Sequence, residues 1–114
     1  MTEDDLSERM SVSRETLDRL GVFVDLLRKW NGRINLVASS TLGDAWKRHV
    51  LDSAQLLEIA PEDASTWVDL GTGGGFPGLV VAIAAADVRP DLHVTLVEAD
   101  QRKASFLREA ARTV

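Results

Sequence analysis

Apolar residues recur by threes and fours between positions 14 and 30, where Leu17, Leu20, Phe23, Val24, Leu27 and Trp30 fall on one face of a helix. That stripe predicts a core-facing helix beginning at Ser13 or Arg14 and ending at Asn31-Gly32. Leu42, Trp46, Val50, Ala54 and Leu57 repeat the spacing and predict a second helix over roughly 42–58, reached through Ile34-Asn-Leu-Val37 and Ser39-Ser-Thr41. The polar run Ala60-Pro-Glu-Asp-Ala-Ser-Thr66 reads as a linker, and beyond it the pattern changes. Short apolar strands are expected at 67–70 and 93–97, an apolar helix at 78–86 between them, and a last helix capped by Asp100 and buried through Phe106 and Leu107. The chain therefore divides into a helical N-terminal layer, 1–60, and a βαβα unit, 61–114, of an α/β fold.

The turn after the first strand carries the chemistry. Trp67-Val-Asp-Leu-Gly-Thr-Gly-Gly-Gly-Phe-Pro-Gly78 delivers an acid, Asp69, into a stretch where Gly71, Gly73, Gly74 and Gly75 can take positive φ and let a ligand approach the backbone. Pro77 stands where an opening helix tolerates its missing N–H. About twenty residues further on, the second strand ends in Glu98, from which a carboxylate can accept bonds from two ribose hydroxyls.

Three readings of this unit compete. Gly73-x-Gly75-x-x-Gly78 matches the dinucleotide fingerprint of nicotinamide-dependent oxidoreductases. Asp69-x-Gly71-x-Gly73-x-Gly75 instead follows the arrangement of class I, Rossmann-like methyltransferases that use S-adenosylmethionine, with the acid beside the methionine end of the cofactor. A pyrophosphate at the helix N-terminus would be repelled by Asp69, which favours the methyl donor. A glycine-rich surface turn without a ligand is the third reading.

With 114 residues and 45% hydrophobic content the chain can bury one core. No stretch is apolar enough to span a membrane, and the acidic start Met-Thr-Glu-Asp-Asp is unlike a signal peptide, so the expected location is cytoplasmic. Without cysteine there are no disulfides or thiolate zinc sites, and the two histidines make no metal motif. A net charge of −5 argues against a nucleic-acid partner on average. Its distribution is uneven: Arg28, Lys29, Arg33, Lys47 and Arg48 form one basic stretch, and Arg102, Lys103, Arg108 and Arg112 another. Solvated helix faces explain such clusters as well as a polyanionic partner does.

Two groups in the helical layer exceed what packing requires. Arg48-His49 with Asp52-Ser53 sets a cation, an imidazole and a carboxylate within one expected helical turn, Arg48 and Asp52 being an i,i+4 pair. A surface ion pair beside a half-buried histidine is the alternative. Asn31 and Asn35 flank the first helix end, where asparagines also satisfy backbone groups.

Trp30-Asn-Gly-Arg-Ile-Asn-Leu36, Arg48-His-Val-Leu-Asp-Ser53 and Asp69-Leu-Gly-Thr-Gly-Gly-Gly-Phe-Pro-Gly78, in this order and spacing, resemble the bacterial ribosomal RNA small-subunit methyltransferase G family, also called glucose-inhibited division protein B. Val97-Glu-Ala-Asp-Gln-Arg-Lys103 fits the same pattern, so the resemblance runs from the first long helix to the end of the sequence. It implies S-adenosylmethionine-dependent methylation of a guanine N7 in 16S ribosomal RNA of the small subunit. Gly71, Gly73 and Gly75 would hold the methionine part of the cofactor, Asp69 would lie near its ammonium and Glu98 would bind its ribose. Arg48 and His49, with Asn35 nearby, would edge the target-base side. Guanine N7 carries a free lone pair, so the reaction needs no proton removal and His49 need not be a base; positioning and charge accommodation should dominate.

A doubly wound sheet has about five or six strands, whereas two are expected here. The resemblance thus implies a truncated first half of the sheet, a polypeptide inactive alone, and possible self-association through unpaired strand edges. A noncatalytic nucleoside- or partner-binding remnant is the alternative from another functional class.

Overall fold

A computed structural model of the chain describes residues 5, 8–9 and 11–114, except for the side chains of Lys47 and Arg48. The first long helix, α1, spans Arg14–Asn31. The Ser13 hydroxyl accepts from the Thr16 N–H at 3.2 Å, satisfying a donor that the helix itself leaves free. Asp87 locks this start in place: its Oδ2 accepts from the Ser13 N–H at 2.7 Å and from the Thr16 hydroxyl at 2.9 Å. The expected stripe is buried, with Leu20, Phe23 and Leu27 fully enclosed. At the other end, Asn31 Oδ1 accepts from the N–H groups of Leu36 and Val37 at 2.9 and 3.1 Å, folding the chain back under the helix.

The second helix departs from the continuous 42–58 segment that the apolar spacing predicts. A short α2, Ser39–Leu42, stops at Gly43, and the chain resumes as a π-helical segment, Trp46–Leu51, that leads into α3, Asp52–Ile59. Val50, Leu51, Ala54 and Leu57 are still buried, so the apolar face survives while the backbone widens by a residue per turn beneath it. Arg48 and Asp52 accordingly stand across the end of a π-helical segment and not on one α-helical turn.

Past the linker come strand β1, Thr66–Leu70, helix α4, Gly78–Val88, strand β2, His93–Val97, and helix α5, Gln101–Thr113. The strands pair in parallel from Thr66 opposite His93 to Leu70 opposite Val97, the geometry a crossover helix imposes. Helix α4 is apolar nearly all round because it lies between the helical layer and the sheet; Leu79, Val80, Val81, Ile83, Ala84 and Ala85 are all buried. Arg89 follows it and closes the linker, its guanidinium donating to the carbonyls of Pro61, Glu62 and Ala64 at 2.8, 3.2 and 3.2 Å.

Trp67, Asp69, Val94 and Leu96 face the helices and are half-buried, whereas Val68, Leu70 and Val97 on the opposite face are 58%, 76% and 45% exposed. One core joins the residues before and after the linker, from Leu17 and Val50 through Val80 to Phe106. The result is the strand–helix–strand–helix start of a doubly wound α/β sheet, with a helical layer on one face.

Candidate cofactor site at the strand ends

The parallel register sets Leu70 beside Val97, so the segments leaving the two strands run side by side. The N–H groups of Gly71 and Thr72 both donate to the Val97 carbonyl, at 2.8 and 3.3 Å. The turn then tightens as Gly75 and Phe76 donate to the Thr72 carbonyl at 3.0 and 3.3 Å. Three of its glycines use the left-handed region: Gly71 at φ 68°, Gly73 at 57° and Gly75 at 98°. Gly74 does not. It is needed for close approach instead, since a Cβ there would sit 3.1 Å from the Leu36 carbonyl oxygen.

The glycines of the motif face two environments. A Cβ on Gly71 or Gly73 would meet no atom within 4 Å, leaving their outer side open, whereas one on Gly75 would press on Leu79 and Phe23 at 3.0 and 3.3 Å. Gly78 is the tightest, because a Cβ would fall 2.6 Å from Asp69 Oδ2. That oxygen accepts from the Gly78 N–H at 2.9 Å, so Asp69 ties the end of β1 to the first residue of α4. Pro77 stands one position earlier than the first helical residue, at the N-cap.

Glu98 spans the gap between strand ends. Its Oε1 accepts from the Gly73 N–H at 2.7 Å and its Oε2 from the Asp100 N–H at 3.0 Å. These two bonds, Asp100 first, hold the Glu98 carboxyl below its ordinary pKa, with Lys103 assisting against partial desolvation. Asp100 is lowered as well, chiefly by the Lys103 N–H that it caps together with that of Arg102. Both carboxylates are thus ionised at neutral pH. Thr72, only 3% exposed, is the described residue whose buried hydroxyl has no hydrogen-bond partner.

Asp69, Gly71, Gly73, Gly75 and Glu98 therefore converge at the carboxyl ends of the strands, where open α/β sheets bind ligands. His49 approaches the same turn from the helical layer. Its ring lies 5.0 Å from that of Phe76, centroid to centroid, and its Nε2 is 2.8 Å from the Thr41 hydroxyl. Asn35 is exposed in the loop after α1, and the Arg48 side chain lies outside the described residues.

Sequence reasoning did not find Phe76, which touches both His49 and Phe23, or the bond from Gly73 to Glu98. The Phe-Pro-Gly segment was the available signal for the first, an aromatic placed where the glycine turn meets the helix. Among the described residues, no group of three or more His, Asp or Glu could hold a metal ion, and no helix is long and apolar enough to cross a membrane.

The family model for rRNA small subunit methyltransferase G matches residues 16–114. The chain belongs to the rRNA small subunit methyltransferase G family. Curated members called ribosomal RNA small subunit methyltransferase G are similar over almost all of it. The protein from Jannaschia sp. (strain CCS1) is 57% identical over 114 residues, covering 98% of this chain and 54% of the relative. The one from Cereibacter sphaeroides (strain ATCC 17025 / ATH 2.4.3) is 53% identical over 116 residues, covering 100% and 56%. The one from Rhodospirillum centenum (strain ATCC 51521 / SW) is 57% identical over 108 residues, covering 95% and 48%. The chain thus spans about half the length of the family members it matches. The matched segment contains the whole constellation at the strand ends, together with His49 and Phe76.

Proposed function

We propose that this chain builds the S-adenosylmethionine-binding half of a methyltransferase that, over the length of its relatives, methylates guanine N7 in 16S ribosomal RNA. The observation that carries the reading is the pairing of an ionised carboxylate, Glu98, with a glycine turn open on its outer side at Gly71 and Gly73. The residues fit the cofactor. The open side of the two glycines admits an amino-acid moiety against the backbone, the buried Thr72 hydroxyl has an unused donor beside it, and Glu98 offers acceptor lone pairs to a ribose diol.

S-adenosylmethionine supplies an electrophilic methyl group on a sulfonium sulfur. Around it, Asp69 places negative charge near the amino-acid end while fixing the start of α4 through Gly78. Gly71 and Gly73 admit the ligand without a side chain in the way, and Glu98 orients the ribose. His49 and Arg48 edge the side from which the guanine approaches, His49 steadied by Thr41 and Phe76. Because N7 has a free lone pair, His49 needs to remove no proton; its part is to hold the base in line and to tolerate charge there. Work on ribosomal RNA suits a cytoplasmic protein.

Calorimetric titration of the chain with S-adenosylmethionine, S-adenosylhomocysteine and NAD tests the reading. Binding of the first two in preference to NAD is expected. Preference for NAD would assign the turn to a dinucleotide, and binding of none would remove it as a cofactor site.

A further inference from the structure

A groove of about 520 Å³ runs between the last two turns of α1 and the outer side of α5, away from the glycine turn. Lys29, Trp30 and Arg33 line one wall, and Arg102, Ser105 and Glu109 the other. The spacing explains the walls: positions three and four apart on each helix share a face, and the two faces look at one another. Lys29, Arg33 and Arg102 are exposed and, among the described residues, none is in an ion pair. Neighbouring charges are engaged: Arg28 lies 4.0 Å from Asp25, and Glu109, the groove's acid, is held by Arg112. A chain of net charge −5 thus exposes three cations around one concavity.

Helix stability accounts for one of the three. Lys29 stands in the last turn of α1, where a cation complements the helix dipole. Arg33 lies beyond that helix, and Arg102 stands in the first turn of α5, the end where a cation is unfavourable and where no acid accompanies it. A ligand that needs positive charge at that place explains the arrangement. The Trp30 indole, braced edge-on by Phe106 at 5.6 Å between centroids, adds an aromatic surface to the same wall. Cations around a groove with an aromatic wall are the combination that takes a single strand, its phosphates on the cations and an unstacked base against the ring.

We propose that the groove between α1 and α5 binds the phosphodiester backbone of a single-stranded segment of RNA, Lys29, Arg33 and Arg102 neutralising phosphates and Trp30 receiving a base. The inference rests on the proposed RNA substrate and adds a surface that lies outside the cofactor site. Arg102 follows Glu98 by one helical turn, so a strand held there reaches the neighbourhood of the ribose carboxylate.

The test is fluorescence anisotropy of a labelled single-stranded RNA decamer with the 114-residue chain in low salt. Lys29→Gln and Arg33→Gln should each weaken binding about tenfold and reduce the slope of log affinity against log salt by about 0.7, the value for one lost phosphate contact on a single strand. Arg19→Gln, the same charge change on an exposed position of α1 outside the groove, should leave affinity nearly unchanged. Arg102→Gln should weaken RNA binding while raising the melting temperature, because it removes a cation from the wrong end of α5; a purely structural role would not give that pair of effects. No RNA binding by the parent chain, equal losses at Arg19, or equal competition by a polyglutamate peptide would each overturn the assignment. Titrating the same variants with S-adenosylmethionine keeps the two readings apart. Groove-dependent RNA binding without cofactor binding would sink the methyl-donor site alone, and cofactor binding without RNA binding would sink the groove alone.

Discussion

The Gly73 N–H donates to the Glu98 carboxylate at 2.7 Å, joining two residues 25 positions apart across the ends of paired strands. The bond gives Glu98 a second task besides the ribose: the same side chain that offers acceptors to the cofactor holds the glycine turn in the shape that admits it. Its other oxygen, on the Asp100 N–H, fixes the rotamer. Glu98→Ala should therefore weaken S-adenosylmethionine binding about 10- to 100-fold by removing a charged acceptor. Glu98→Gln keeps an acceptor for Gly73 and should retain part of the affinity. Equal affinities of parent and both variants in a calorimetric titration would remove Glu98 from the site.

The two environments of the glycines predict opposite phenotypes for the same added methyl group. Gly78→Ala drives a Cβ into Asp69 and Leu96, and should cost about 1–3 kcal/mol of stability by overpacking, read as a lower denaturant midpoint. Gly73→Ala meets open space and should cost only about 1–2 kcal/mol for its left-handed backbone, while obstructing the ligand side and lowering cofactor affinity. The pair is informative because stability and binding separate. Identical ratios of lost stability to lost affinity in the two variants would contradict that division.

The acid side of the stability profile follows from three carboxylates. Asp87 is held below its ordinary pKa chiefly by the Ser13 N–H and then the Thr16 hydroxyl, and Glu98 and Asp100 are lowered by the N–H groups they accept. A depressed folded-state pKa means the folded chain releases the proton more readily than the unfolded one. Its stabilisation is then complete above the ordinary carboxylate range, about pH 4, and is lost as the pH falls through the lowered value. Thermal melts should decline below about pH 4, and less steeply for Asp87→Asn than for the parent. Parallel curves would mean that the clamp on the start of α1 has no part in acid unfolding. Ser13→Ala should separately cost roughly 1 kcal/mol by removing the cap.

Much of this arrangement was legible in the sequence because it rests on local chemistry. The cap at Ser13, the stripe ending in Leu27, the strand His93–Val97 and the Asp100 cap each follow from residue type and spacing, and the structure places them as expected. The helix at 42–58 was misread because apolar periodicity reports a buried face and does not distinguish an α-helical from a π-helical backbone beneath it. The contacts from Gly73 to Glu98 and from His49 to Phe76 join distant positions, and only the crossover through α4 brings them together. Resemblance supplied the functional reading of the turn. The residues alone left a nicotinamide fingerprint and a methyl-donor motif overlapping at Gly73 and Gly75.

His49 offers the sharpest separation of recognition from cofactor binding. Its contacts lie with Thr41 and the Phe76 ring and not with the glycine backbone. In a version extended to the length of the relatives, His49→Ala and Arg48→Ala should lower methylation of 16S RNA more than they lower S-adenosylmethionine affinity. His49→Gln preserves a polar partner for Thr41 and should fold as the parent does. If His49→Ala lowers the melting temperature yet the folded fraction methylates at the parent rate, the histidine is packing for Phe76 and no part of the target-base side.

Methyl transfer by the 114-residue polypeptide itself should remain near background even where it binds the cofactor. The two strands hold one side of the reaction, Asp69 and Glu98 at their ends, while the face carrying Val68, Leu70 and Val97 stands bare to solvent. With no proton to move, rate depends on holding N7 and the methyl group in line, and about 1 Å of misplacement can cost about a hundredfold. A site that grips the cofactor but leaves the base free to wander should thus bind without turning over. Transfer of labelled methyl to small ribosomal subunits, measured beside a relative of full length, checks this. Rates within about tenfold of that relative would mean that the positioning comes from the groups present here, above all His49 and the Phe76 ring, and that two strands suffice.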